Sequence, residues 1–366
     1  IPVDHGAALE ILEKASKSAR DSKFKAQTVH RKAIGLIMSG GHLTYKYVLV
    51  TGLLAKSTNA KVNALALQAG APLTGSFDAR SLCHSVIVPN EERLLDDALG
   101  GSNEPFLNKP ARFTHIATTN AVRGGADRLA LIALHRVLGS ISTSAEALDA
   151  LTYALQVAIS KRAANKAALA EAVEEVSGGR PEITSYLARL LSSGEHGESA
   201  LLASAIAFWL ISKVTQKTWA ISVHPSNESG ASSNQVGDID VEDGNGVGFA
   251  VEVKDKIVSK TDVDHAVERV RKAKGTRLFI LFGPRGRLDD ASVAEVTTNA
   301  SRKGVELFVF GIKEFVDSFV PFLPDDVDLA EIAKTVAEFA KVSRVKDTTL
   351  EHLTRISQAS AEPSDK

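Results

Sequence analysis

The residues with the most chemical content lie in one run, Val236-Gly237-Asp238-Ile239-Asp240-Val241-Glu242-Asp243-Gly244-Asn245-Gly246-Val247-Gly248-Phe249-Ala250-Val251-Glu252-Val253-Lys254. Carboxylates gathered beside an ammonium are what a hard divalent cation and a phosphate ester require. Mg²⁺ prefers oxygen ligands, and when bound it polarises a phosphoryl oxygen and activates water. Whether these side chains meet depends on strand geometry. Asp243-Gly244-Asn245-Gly246 is a hairpin-turn signal, because Gly and Asn tolerate the positive φ of such turns. Successive strand side chains point to opposite faces. Ile239 and Val241 therefore share one face, and Asp238, Asp240 and Glu242 the other. On the return strand Val247, Phe249, Val251 and Val253 are apolar, with Ala250, Glu252 and Lys254 opposite. Paired residues project to the same face, so the acidic face meets Glu252 and Lys254. A three-residue loop, Gly244 to Gly246, sets Asp238 against Glu252 and Asp240 against Ala250. A five-residue loop would set Asp240 against Glu252 instead. Opposed carboxylates repel, and Mg²⁺, or Mn²⁺ in its place, resolves the conflict. The competing reading is an exposed hairpin of solvated charges, against which the cleanly apolar partner face argues.

This layout resembles the PD-(D/E)XK nuclease superfamily, in which an Asp on one strand is followed by Glu/Asp-x-Lys on the next. The resemblance assigns Asp238 and Glu252 as metal ligands and Lys254 as the catalytic lysine, and it puts Gly237 in the proline slot. A Glu on the helix before the sheet often joins the metal in that superfamily, and Glu198 fits by position. A carboxylate at a helix start also offsets the helix dipole with no metal. Glu198 or Asp240 is expected to complete the site. From Lys254 to Arg287 there are ten Lys/Arg against four Asp/Glu, a local excess that suits a phosphodiester backbone. The Arg269–Lys274 part reads equally well as a solvated helix face.

These residues need elements to hold them. Helical spacing covers about 7–20, 25–38, 43–56, 126–139 and 144–175. Thr143-x-x-Glu146 forms a reciprocal cap for the last of these. Residues 57–125 are rich in turn formers. Ser177-Gly178-Gly179-Arg180-Pro181 breaks the pattern, and a short helix runs to about Leu191. An apolar helix follows at 198–213, and then strands at 218–223, 236–243 and 247–254. A helix at 261–274, a strand at 278–282, a helix at 289–303 and a strand at 306–310 complete the alternation. The expected fold is α/β (α+β), a PD-(D/E)XK-type mixed sheet flanked by helices and preceded by a mainly helical, loop-rich domain. The expected divisions are 1–191 for the helical domain with a DNA-recognition role, 192–325 for the nuclease domain, 326–357 for C-terminal helices and 358–366 for a disordered tail.

Three blocks in the first half, Thr44–Asn59, Ser76–His84 and Leu99–Phe113, resemble the SacI family of restriction endonucleases. Gly197-Glu198-Ser199 and Gly237-Asp238-Ile239-Asp240 follow in the expected order, so the resemblance covers most of the chain. It implies a Mg²⁺-dependent type II enzyme that cuts double-stranded DNA at a short specific site. Without it, the residues lead only to a metal-dependent nuclease. A palindromic target would favour a homodimer. A companion methyltransferase is expected of the biology, though not as a physical partner. The rivals are a repair or junction-resolving nuclease with the same core and a catalytically inactive DNA-binding module. Asn can read adenine edges, and Arg or Lys guanine. The DNA-contact candidates are Arg80, His84, Asn103, Glu104, Asn108, Lys109 and Arg112, although Asn103-Glu104-Pro105 and Asn108-Lys109-Pro110 also serve as turn builders.

The remaining features narrow the field. The 43 basic and 44 acidic residues nearly cancel, so any basic surface must be local. Cys83 is the only cysteine, which excludes internal disulfides and points to a reducing, cytoplasmic setting. Adjacent Cys83 and His84 diverge on any regular element, so a buried thiol is expected rather than a nucleophile pair. The histidines show no metal-binding spacing, and Gly283-Pro284-Arg285-Gly286 reads as a turn because no Gly-Lys-Ser/Thr follows. No run of about 18 apolar residues is evident, so a membrane span is not expected. The N-terminus, Ile1-Pro2-Val3-Asp4-His5, lacks a secretory layout and an initiating Met, which leaves an upstream start open.

Overall fold

The computed structural model describes residues 1–192, 197–225, 235–244, 247–289 and 291–361. It divides into two compact units, Ile1–Ala164 and Asn165–Lys366.

The first unit is helical: α1 (His5–Ala19), α2 (Arg31–Ser39), α3 (Leu43–Thr58), the short α4 (Ala79–Leu82) and α5 (Glu91–Leu95), α6 (Ala126–Ser140) and the start of α7 (Ser144–Glu174). α3 is buried around its whole circumference from Thr44 to Ala55, as the central post of this unit. The second helix begins at Arg31 rather than near 25. The Asp149 carboxylate accepts the N–H groups of Gln27 and Thr28, which satisfies them outside a helix. The expected cap at α7 is present: Thr143 Oγ1 accepts from Glu146 N, and Glu146 Oε2 accepts from Thr143 N.

The second unit holds the rest of α7, α8 (Arg180–Ser192), α9 (Glu198–Thr215), β1 (Ala220–Val223), β2 (Ile239–Glu242), β3 (Val247–Lys254), β4 (Ile257–Val258), α10 (Lys260–Lys272), β5 (Arg277–Phe282), β6 (Arg287–Leu288), α11 (Val293–Arg302), β7 (Glu306–Gly311), α12 (Ile312–Asp317), α13 (Leu329–Val342) and α14 (Asp347–Ala361). The main sheet runs β1-β2-β3-β5-β7. Its first three strands are antiparallel and its last three parallel, so the expected mixed sheet is present. One face, with Ile239, Val241, Val251 and Leu281, packs on α9 and α12. The other, with Ala250, Leu278 and Ile280, packs on α10 and α11. The acidic residues of the hairpin belong to this second face.

Several boundaries differ from expectation. The units divide inside α7, whereas the sequence placed the change at 191/192. Leu169, Val173, Ile183 and Leu187 join α9 and the sheet in one buried cluster, which keeps α8 with the second unit. α11 begins at Val293 because Ser292 caps it by accepting from Glu295 N. α14 extends to Ala361, so residues 358–361 are helical; 362–366 lie outside the described residues. α9 is also long and apolar enough, by length and composition, to cross a membrane, although polar residues interrupt its apolar run; 72% of it is buried within the unit, as in a core helix.

Candidate active site

The hairpin register is fixed by Ile239↔Val251, Asp240↔Ala250 and Val241↔Phe249. Asp238 lies one residue before β2, and its N donates to Val251 O at 2.8 Å. The pairing shifts between Val241 and Glu242, where Glu242 meets Val247. The predicted loop includes Asn245 and Gly246, which lie outside the described residues. The shift lies at the turn end of the hairpin, away from Asp238.

Gly237 stands where the resemblance to PD-(D/E)XK nucleases would put proline, and local geometry favours glycine. A Cβ there would lie 2.6 Å from Val251 O and 3.0 Å from Val251 N. Gly237 also donates its N–H to Asp240 Oδ1 at 3.1 Å, a bond proline cannot make. The missing side chain brings the segment before β2 onto β3, and the amide ties it to Asp240.

Lys254 joins the two carboxylates. Its Nζ lies 2.5 Å from Glu252 Oε2 and 3.5 Å from Asp238 Oδ2. Asp238 Oδ2 also accepts from Val253 N at 2.7 Å. The Glu252 side chain is only 3% exposed, whereas that of Asp238 is 38% exposed. Burial pushes the Glu252 carboxyl above its usual range and Asp238 adds repulsion, with Lys254 and Arg269 opposing. Burial disfavours the Lys254 ammonium, but Asp238 and Glu252 outweigh it and hold its pKa above the usual lysine value. The two carboxylates thus favour the cationic form of Lys254. Asp238, Val253 and Lys254 line a cleft of about 410 Å³ with Gly197, Leu201, Asp255, Lys256 and Arg285.

The other site candidates have different partners. The Glu198 carboxylate is buried and accepts from Lys346 N at 2.9 Å and Thr349 Oγ1 at 2.5 Å, with Lys346 Nζ at 3.3 Å. It anchors the approach to α14, and no bond joins it to the hairpin carboxylates. Asp240 accepts from Val236 N, Gly237 N and His224 Nε2 at 3.1, 3.1 and 2.9 Å, so it organises the entry to β2. Among the described residues no three His, Cys, Asp or Glu side chains gather as a metal cage. Asp238 and Glu252 are the two carboxylates that could hold Mg²⁺, which commonly uses one or two; Glu252 would then share its oxygens with Lys254 and Arg269.

Two residues of this site had no specific role in the sequence reading. Arg269 of α10 forms an ion pair with Glu252 Oε1, so it is not merely part of a solvated helix face. Its position beside the buried stripe Val263, Ala266, Val267 and Val270 was the available signal. His224 N donates to Asp238 O at 3.0 Å. This continues the β1–β2 pairing by one residue beyond Val223↔Ile239.

In the first unit, Glu104 Oε2 lies 3.3 Å from both Arg80 Nη2 and His84 Nε2. Arg80 and Arg112 line one cleft of about 460 Å³ with Gln68, Asp78, Phe106, Leu107 and Ala111. Lys109 sits 5.6 Å from the centre of the Phe113 ring. Asn108 and Lys109 are exposed, and Asn103 is half-buried. Cys83 is fully buried, and burial raises its thiol to about 12, which suits a core thiol and not a nucleophile.

Two family models match the chain. The SacI restriction endonuclease N-terminal domain matches residues 7–162, and the SacI restriction endonuclease C-terminal domain matches residues 175–284. No curated protein matches.

Proposed function

The chain belongs to the SacI restriction endonuclease family, and from that premise we propose that it is a Mg²⁺-dependent type II enzyme hydrolysing double-stranded DNA at a short specific site. The observation that carries this reading is that Lys254 bridges two carboxylates, Asp238 just before β2 and Glu252 on β3, with Asp238 and Lys254 lining a cleft. The arrangement is that of a PD-(D/E)XK centre. Asp238 and Glu252 would hold Mg²⁺, which when bound polarises the phosphoryl oxygen and activates water. Lys254, kept protonated between the carboxylates, contacts a non-bridging phosphate oxygen and stabilises the charge that grows on it during attack. Arg269 balances the charge of buried Glu252 and restrains its carboxylate.

The helical unit would supply sequence recognition. Arg80 and Arg112 can donate to guanine edges or phosphates, with Asn103, Asn108 and Lys109 nearby in the chain. A palindromic target would call for a two-fold homodimer, and the lone buried thiol suits a cytoplasmic setting.

Purified protein incubated with plasmid DNA is expected to give discrete fragments with Mg²⁺ and none with EDTA. End sequencing then reads the site. Cutting only at branched DNA would favour a junction nuclease. Lys254→Ala is expected to slow single-turnover cleavage about 10²–10³-fold while still binding duplex. Cleavage by this variant at the wild-type rate would remove the mechanism.

A further inference from the structure

The turn Gly283-Pro284-Arg285-Gly286 plays no part in the mechanism above, yet it lies against the end of β3. Beyond Lys254, β3 stops at Asp255-Lys256, and β5 stops at Phe282. The same two strands then resume parallel pairing as β4 and β6, with Ile257 against Arg287 and Val258 against Leu288. The turn is therefore held between two ladders. Gly283 N donates to Lys254 O at 3.0 Å, and Gly286 N to Gly283 O at 2.9 Å. A Cβ at Gly286 would lie 2.0 Å from Lys254 O, and one at Gly283 would lie 2.6 Å from Asp255 Oδ1. Both glycines are needed for the turn to fold this closely on β3.

The turn presents Arg285. Its backbone N–H donates to Asp255 Oδ1 at 2.9 Å, and its Nε and Nη2 donate to Asp255 Oδ2 at 3.1 and 2.5 Å. The Asp255 side chain is 7% exposed, and that of Arg285 is 58% exposed. A nearly buried carboxylate thus fixes an exposed guanidinium on a rigid platform, which lowers the conformational cost of binding an anion. Arg285, Lys256, Lys254 and Asp238 line the same cleft.

We propose that Arg285, set by Asp255 and the glycine turn, is a backbone clamp that binds a DNA phosphate next to the one cleaved, with Lys256 as a second, looser cation. This rests on the nuclease reading of the cleft and adds to it a binding residue outside the Asp238–Glu252–Lys254 centre. The contact would be to phosphate and not to base, so it strengthens binding equally on cognate and unrelated sequence.

The test is binding of labelled duplex across a salt series, with Ca²⁺ in place of Mg²⁺, together with Mg²⁺ cleavage, for wild type, Arg285→Ala and Arg285→Lys. Arg285→Ala is expected to bind about tenfold more weakly, with the slope of log affinity against log salt reduced by about 0.9, the loss of one phosphate contact. Arg285→Lys keeps the charge but not the fork, so it is expected to restore the slope and part of the affinity. A wild type that cuts DNA while Arg285→Ala binds with unchanged affinity and slope overturns the clamp and leaves the nuclease reading standing. Weaker binding with an unchanged slope and no rescue by lysine also overturns it, since that is the signature of a structural role. A wild type that neither binds nor cuts duplex removes both proposals.

Discussion

Glu91 of α5 offers a test of how the loop carrying Asn103 and Glu104 is held. It is 2% exposed. Its Oε1 accepts from the N–H groups of Leu99, Gly100 and Gly101 at 3.1, 3.0 and 3.0 Å, and its Oε2 accepts from the Tyr47 hydroxyl at 2.5 Å. Tyr47 in turn accepts from Ser102 N at 2.7 Å. Burial pushes the Glu91 carboxyl from 4.5 up to about 7, against the opposing pull of the Tyr47 and loop donors. The folded state therefore binds this proton more tightly than the unfolded chain. The resulting stabilisation is complete below pH 4.5, declines as pH rises and is gone above about pH 7. At about 1.4 kcal/mol per pH unit, the interval amounts to about 3 kcal/mol. Glu91→Gln keeps the acceptor for the three amides and puts a neutral donor beside the Tyr47 oxygen, so it removes the titration without emptying the site. Urea unfolding followed by far-UV circular dichroism is the suitable assay, because Trp209 and Trp219 both lie in the second unit. The stability advantage of wild type over Glu91→Gln is expected to shrink by about 3 kcal/mol between pH 4.5 and pH 8. Parallel pH profiles for the two proteins would refute the reasoning.

Two further substitutions probe the second unit. Gly237→Ala places a Cβ 2.6 Å from Val251 O; a destabilisation of about 1–3 kcal/mol is expected in urea titrations, with a larger loss of cleavage as Asp238 moves. A wild-type rate at unchanged stability would show that the close approach is unimportant. Glu198→Gln leaves the Lys346 ammonium, on a side chain 10% exposed, without its charged partner. It is expected to lower stability by about 3 kcal/mol without changing the Mg²⁺ concentration needed for half-maximal cleavage, whereas a rise of tenfold or more would make Glu198 a metal ligand.

Much of the nuclease-like sheet was legible from local pattern. β3 occupies the segment read as the return strand, 247–254, and Asp240 pairs with Ala250, one of the two registers that periodicity and turn residues left open. Face parity needs no knowledge of distant residues, because a shift by one would move every hairpin side chain to the opposite face. The helix cap at Thr143 is local as well, because its partner Glu146 is three residues away in the chain. Choice of ion partner is a different matter. Glu198 could be placed on α9 but not matched to Lys346, which lies 148 residues away in the chain. Asp240 could be placed on a strand but not matched to His224, and Arg269 on a helix but not on Glu252. The sequence by itself determined which residues share a strand face. Only the tertiary structure decided which charges neutralise one another, because a buried carboxylate takes whatever donors the packed helices and turns bring within about 3 Å.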